Sequence, residues 1–258
     1  LSVWRLILHD EEPADWNMAV DKAILEAVLA GMVPPTLRLY RWRDAAISLG
    51  RLQRASKALR VDVCRAIGIP VVRRPTGGRA ILHGGDQVFS IAARQAELPR
   101  DARDVMGLYR LTSAGLRNAF AQMGVHLVAG KRSLADARSE DCFSTRTEAD
   151  MLVAESEAKL VGSAQCRERE AVLQQTSIRH RRDLLDPSGL FRTPIIPALY
   201  PLEQFSDEQL AEQVVGSLLV CLNARFREDT LCQWEVERAA ALCAQVRVPI
   251  ASSEAATG

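Results

Sequence analysis

Between residues 70 and 94 three apolar runs, PVVRR (70–74), RAILH (79–83) and QVFSIAAR (87–94), follow one another with little but PTGG and GGD between them. Each is too short for a helix and is bounded by glycine-rich reversals, so the stretch predicts three short strands joined by turns. Connections this short cannot hold the crossover helix that parallel neighbours require. The same pattern recurs at TLRLYRW (36–42) and AISLGR (46–51). It returns at ADMLVAES (149–156), AKLVGSAQCRE (158–168) and AVLQQTSIRH (171–180), which predict a meander with very short turns. Sequential hairpins in place of strand–helix alternation predict an α+β fold with a largely antiparallel sheet, and they exclude a Rossmann unit.

Helices are predicted around this sheet. WNMAVDKAILEAVLAG (16–31) places Ala19, Ala23, Ile24, Ala27 and Val28 on one face, with Asn17 as cap and Gly31 and Pro34–Pro35 as the stop. SKALRVDVCRAIG (56–68) predicts a short helix ending at Gly68, and VMGLYRLTSAGLRNAFAQMG (105–124) a second long one, followed by a strand at VHLVAG (125–130). Residues 206–246 are predicted mostly helical with a break near REDT (227–230), and 131–141 is predicted to be a loop. The N-terminal LSVWRLILHDEEPAD, a short apolar run followed by acids, predicts a strand and not a signal peptide. The 258 residues are expected to form one catalytic domain over 1–250, with 251–258 a flexible tail.

Charge narrows the partners. The 33 basic and 32 acidic residues leave a net charge of +1, which argues against bulk attraction to nucleic acid or an anionic membrane. No run reaches the roughly 18 apolar residues of a membrane span. The six cysteines, Cys64, Cys142, Cys166, Cys221, Cys232 and Cys243, form no C-x-x-C pair, so no zinc ribbon, metal or thioredoxin-type site is expected. Reduced thiols in a cytoplasmic protein fit that spread. The spacing of 11 between Cys221, Cys232 and Cys243 is about three helical turns and predicts a shared, packed helix face.

Three stretches carry candidate chemistry. In RRPTGGRAILH (73–83), Gly77 and Gly78 permit a close backbone approach, and exposed N–H groups there would hold an anion or a polar chain end. Arg73, Arg74 and Arg79 add forked donors suited to carboxylate or phosphate, with Thr76 in the turn and His83 at the strand end. An ordinary hairpin with solvated arginines and a structural histidine is the alternative. In KLVGSAQ (159–165), Lys159 enters an apolar run, and the small Gly162, Ser163 and Ala164 imply that something lies against that backbone. A partly desolvated lysine there could orient a carbonyl or assist proton transfer; a lysine snorkelling from a strand start is the plainer reading. Cys142, between Asp141 and Phe143 after a polar loop, is a candidate nucleophile, and Cys166 competes with it.

Taken together, NMAVDKAIL (17–25), VVRRPTGGRAILH (71–83), DCF (141–143) and KLVGSAQCR (159–167) resemble the biotin/lipoate A/B protein ligase family, in order and approximate spacing, across about residues 1–205. The resemblance implies a class II synthetase-like catalytic domain, α+β, with a mixed, largely antiparallel sheet and flanking helices. Within the family the T-G-G-R turn and the Cys142–Phe143 pair are similar to the Gram-positive-type octanoyltransferases of lipoate biosynthesis. That likeness implies octanoyl transfer from acyl carrier protein, through a Cys142 thioester activated by Lys159, to a lysine of a lipoyl-domain protein or the glycine cleavage H protein. No ATP and no cofactor is implied. The 73–79 turn and His83 would then line the acyl pocket with Leu82, Val88 and Val161, Gly162 to Ala164 would leave room for the chain, and Arg179 to Arg182 would help docking. Three places depart from the pattern: Gly84 stands where relatives commonly have Asp, Gln175 where they often have His, and STRTEAD (144–150), after Cys142, lacks the expected aromatics. An ATP-dependent lipoate–protein ligase, an octanoyl or lipoyl amidotransferase between carrier proteins, and a non-catalytic acyl-binding relative are the other readings of the same likeness.

Overall fold

The computed structural model describes residues 2–130, 150–154, 156, 158–193 and 198–250. In chain order these form β1 (Ser2–Glu12), α1 (Ala14–Ala30), β2 (Thr36–Trp42), β3 (Ala46–Leu49), the short helices α2 (Ala55–Ala58) and α3 (Val61–Ala66), β4 (Val71–Arg73), β5 (Ile81–His83) and β6 (Asp86–Arg94). There follow α4 (Val105–Gln122), β7 (Leu127–Ala129), β8 (Met151–Val153), β9 (Lys159–Glu168), β10 (Ala171–Arg179), α5 (Asp207–Cys221), β11 (Ala224–Glu228) and α6 (Gln233–Val246).

An eight-stranded sheet runs β11-β1-β2-β6-β10-β9-β8-β7, and a second sheet of three runs β4-β3-β5. From β2 to β7 every neighbour is antiparallel, whereas β1 lies parallel to both β2 and β11, and β3 parallel to β4. The mixed, largely antiparallel α+β architecture is therefore the one the hairpin pattern predicts. Helices cover both faces of the large sheet. Phe89, Ile91 and Val172 face the core under α4 and α5, and Ala92 and Leu173 face the core under α1 and α6. Burial on both faces explains why β10 is buried along its whole length.

Four local expectations are corrected. The segment 224–228, read as helix up to a break near 227, is a strand: Asn223 turns at φ 50, and Phe226 packs edge-on against Trp4 while the backbone pairs with β1. The helix expected over 56–68 breaks at Leu59, which is fully buried and bridges Phe191, so α2 and α3 are separate. Asn17 does not cap α1; Pro13 holds that place, and the Asn17 amide lies inside, donating to the Glu12 and Arg41 carbonyls. Cys221, Cys232 and Cys243 share no helix face, since they fall at the end of α5, at the N-cap of α6 and within α6.

The correction that matters most for the site concerns 74–80. Strands β4 and β5 do not pair with each other, because β3 lies between them. PTGG is thus a loop crossing the end of β3 and not a hairpin turn. A short antiparallel signal cannot reveal a third strand inserted from earlier in the chain.

The C-terminal helix is tied to the sheet through one buried ion pair. Arg5 donates from both terminal nitrogens to Glu235, at 2.8 and 2.5 Å, and from Nε to Thr36 Oγ1; both charged groups are essentially inaccessible. Removing one partner leaves a buried charge unmatched. Glu235→Ala is expected to lower unfolding stability by about 3–5 kcal/mol, measured by urea denaturation; a loss below about 1 kcal/mol would show that the pair contributes no more than a surface bridge.

Candidate active site

The 74–80 loop takes its shape from arginines turned onto carbonyls. Arg74 is buried and donates to Ser48 O, Gly77 O and Arg79 O, at 2.6 to 3.1 Å, and to Ser48 Oγ at 3.0 Å. Arg73 donates to the carbonyls of Gly50 and Gln53, at 2.9 and 2.7 Å. The Arg73 and Arg74 forks, expected to face a ligand anion, thus staple the loop to the turn after β3. Arg51 N–H adds a bond to Thr76 O, Gly77 N–H reaches Gln165 O on β9, and Gly78 adopts φ +86. A side chain at Gly50 would strike the Gly78 carbonyl, so the backbones meet because residue 50 is glycine, while glycine at 78 permits its positive φ.

Beneath the loop lies a narrow cavity. Met18, Tyr40, Trp42, Ile81 and Val88 form its apolar wall, Ser48, Arg74, His83, Gln175 and Ser177 its polar side, and Gly162, Ser163 and Ala164 the wall from β9. Of the sequence-derived candidates, Arg74, His83, Gly162, Ser163, Ala164 and Val88 line it. Leu82 and Val161 do not; they pack into the core of the small sheet and the core under α4. The volume is about 20 Å³, room for roughly one water, so any longer occupant must displace side chains. Met18, unbranched and adaptable, is well suited to yield.

The polar side is an ordered network. His83 is stacked on Trp42, with centroids 3.9 Å apart. Its Nδ1 lies 2.7 Å from Asp86 Oδ2 and its Nε2 lies 2.8 Å from Ser48 Oγ. Asp86 also accepts from Ser177 Oγ and Gly84 N–H. Burial alone would raise the Asp86 carboxyl, but the His83 charge and these hydrogen bonds together bring it below its usual value. The carboxylate favours a proton on His83 Nδ1. Ser48 Oγ, which accepts from Arg74, completes the array at Nε2.

Gln175 has an equally definite role. Its Oε1 accepts from Thr76 Oγ1 at 2.6 Å and its Nε2 donates to Asp21 Oδ2 at 2.7 Å, linking the loop to α1. Asp21 also accepts from Arg38, Tyr40 and Ser90. Burial and Asp21 raise the Tyr40 phenol well above its usual range, so it remains a donor.

On the β9 side, Lys159 Nζ lies 2.9 Å from Asp150 Oδ1, and both side chains are buried. A Cβ at Gly162 would sit 3.2 Å from Lys159 Cε and 3.4 Å from Nζ, so the glycine leaves the space through which the lysine runs. Cys142 and Phe143 lie outside the described residues. Cys166 is buried, with Arg51 Nη1 at 3.7 Å from its sulfur; burial and Glu168 nevertheless push its thiol up, which favours the unreactive protonated form. Sequence reasoning missed Ser48, Asp86 and Asp150. It quoted Asp21 only within a motif, although an acid among apolar residues of a helix was a readable signal.

His9 provides a pH handle on this network. Its Nδ1 accepts from Arg38 Nε at 3.1 Å, and burial and the Arg38 charge push the imidazole down to about 4, against the opposing pull of Asp21 and Asp10. Between about pH 6.5 and 4 the unfolded chain binds a proton that the folded chain refuses, so stability falls as pH drops through that window. The expected loss is about 1 kcal/mol after discounting for partial exposure. Urea denaturation across the window should show His9→Gln flattening the slope; an unchanged slope would assign it elsewhere.

Comparison with known proteins agrees with this construction. Residues 13–196 match the lipoyl protein ligase A/B catalytic domain. Octanoyltransferase LipM of Kyrpidia tusciae is 37% identical, over 77% of this chain and 72% of its own length. Octanoyltransferase LipM of Symbiobacterium thermophilum is 36% identical, over 78% and 73%. Among solved structures, lipoate-protein ligase A bound with ATP superposes with a TM-score of 0.77 at 23% identity, over 95% of each chain. A bipartite lipoate protein ligase from Thermoplasma acidophilum, studied with its E2 lipoyl domain, has a TM-score of 0.75 at 21% identity, covering 95% of this chain and 93% of that one. At those identities the superpositions speak for the fold. The matched span, which runs from the start of α1 past the end of β10 and takes in the loop, the cavity and the Lys159 strand, places this chain in the lipoyl protein ligase A/B catalytic domain family.

Proposed function

We infer that the chain is an octanoyltransferase of lipoate biosynthesis, an acyltransferase that delivers an octanoyl group to a lysine of a lipoyl-domain protein. The observation that carries the reading is the buried Lys159–Asp150 pair, whose ammonium lies against Gly162, a residue of the small-residue wall of the cavity. In this reading the donor is octanoyl-acyl carrier protein and the acceptor is a lipoyl domain or the glycine cleavage H protein. The reaction takes place in the cytoplasm.

The chemistry divides into two balanced steps. The Cys142 sulfur attacks the thioester carbonyl, its own proton leaves with the carrier thiol, and an S-octanoyl enzyme forms. The acceptor amine then attacks that thioester, an amide forms, and the amine proton returns to the Cys142 sulfur. Thioester to amide is downhill, so no ATP is consumed, and covalent catalysis replaces one difficult transfer by two easier ones. Lys159 stabilises the thiolate and the oxygen that gains charge in each step, and Asp150 holds the ammonium in place. Gly162, Ser163 and Ala164 clear space for the acyl chain. Arg73 and Arg74, with Gly77, Gly78 and the Arg79 carbonyl that accepts from Arg74, hold the loop that roofs it. Thr76 anchors that loop through Gln175, and His83 with Ser48 forms the polar wall.

Intact-protein mass spectrometry after mixing with octanoyl-acyl carrier protein, without ATP, tests the reading. One octanoyl group should be added, be released by hydroxylamine, and be absent in Cys142→Ala. Lys159→Met, which keeps the aliphatic length, should slow acyl-enzyme formation by about 10²–10³-fold. Acyl transfer that appears only with ATP and a free fatty or lipoic acid would assign the chain to the ligases instead.

A further inference from the structure

The turn that Arg73 staples to the loop begins a strip of positive charge. In RLQRASKALR (51–60) the cations Arg51, Arg54, Lys57 and Arg60 recur every third residue with no acid among them. All four are exposed. Among the described residues none of the four has a carboxylate partner. Arg192 joins them, exposed and donating to the Ser56 carbonyl at 2.7 Å. Leu52 stands in the strip at 87% exposure, an apolar knob rimmed by cations. Asp62, beyond the end of the strip, is the nearest carboxylate in sequence.

Position gives the strip its meaning. Its first residue is at the site: Arg51 N–H bonds Thr76 O, and Arg51 Nη1 reaches Cys166, two residues past the cavity-lining Ala164. Its last residue is elsewhere: Arg60 N–H bonds Leu190 O, beside the core of the small sheet. A patch that starts at a pocket rim and leads away suits a partner that stands off from the pocket and reaches in by an arm. An acceptor whose reactive lysine is part of its own surface must instead dock over the rim itself.

We propose that residues 51–60, with Arg192, are the docking surface for the acidic carrier protein that brings the acyl thioester. The proposal rests on the octanoyltransferase reading for the identity of the cargo. Charge complementarity supplies the attraction and Leu52, next to Arg51, an apolar contact at the end nearest the site. With a net charge of +1 on the whole chain, a strip this short is not a nucleic-acid or membrane surface.

The test is the variant Arg54→Glu/Lys57→Glu/Arg60→Glu, whose altered side chains line no part of the cavity, compared with Arg225→Glu on β11 as a distant charge-reversal control. Carrier affinity is read by fluorescence anisotropy with labelled octanoyl-carrier, and acylation by mass spectrometry with that carrier or with octanoyl-pantetheine. The triple variant should bind the carrier at least tenfold more weakly and lose the salt dependence of binding. Its acylation by octanoyl-pantetheine should match that of the unaltered protein, and Arg225→Glu should change nothing. Unchanged carrier binding would overturn the proposal. So would equal loss with both donors, or weakening confined to a lipoyl-domain acceptor or to anionic vesicles. Carrier binding that depends on the strip, without acyl transfer in the unaltered protein, would instead keep the docking surface and reject the octanoyltransferase reading.

Discussion

A single buried carboxylate organises the site. Asp21 is fully inaccessible beneath α1, where an unpaired charge would be prohibitive. Arg38 neutralises it at 2.9 Å, while Tyr40, Ser90 and Gln175 each donate a hydrogen bond. Those partners come from β2, β6 and β10, neighbours at the centre of the large sheet, so one side chain sets how α1 lies across it. Helix α1 also supplies Met18 to the cavity wall. Through Gln175 and Thr76 the same network holds the glycine loop, and a displacement at Asp21 would be felt at the roof of the pocket.

The loop is over-determined from its other side as well. Arg73 and Arg74 direct their donors to carbonyls of the loop and of the turn after β3, and Gly50 lets those backbones touch. The roof is thereby rigid, whereas the wall formed by Met18 is soft. In the proposed reading, a rigid polar frame around an adaptable apolar wall is what would let a cavity the size of one water admit a chain without unfolding the loop. The His83–Asp86–Ser48 array belongs to the rigid part, since stacking on Trp42 and two hydrogen bonds leave the ring no freedom.

Legibility in the sequence depended on distance along the chain. Lys159, Gly162, Ser163 and Ala164 are consecutive or nearly so, and a lysine entering a run of small residues was visible as an anomaly. His83 and the T-G-G turn were visible for the same reason. Asp150 was not, because its only meaning is that β8 lies against β9 and brings it to Lys159. Ser48 was not, because β3 inserts between two strands that read as one hairpin. Asp86 was hidden differently: two glycines separate it from His83, and only the backbone at Gly84, with φ +132, folds the carboxylate back onto the ring.

Alternation and spacing in the sequence alone determined the α+β class, the central strands and the two long helices α1 and α4. These follow from local periodicity and from glycine and proline, which act within a few residues. Tertiary structure alone decided which way the arginines face, that PTGG crosses a strand instead of joining a hairpin, that 224–228 pairs with β1, and which acid meets which base. Those outcomes depend on burial: a charge removed from water must find its counterpart, and the chain distance to that counterpart does not enter its energy.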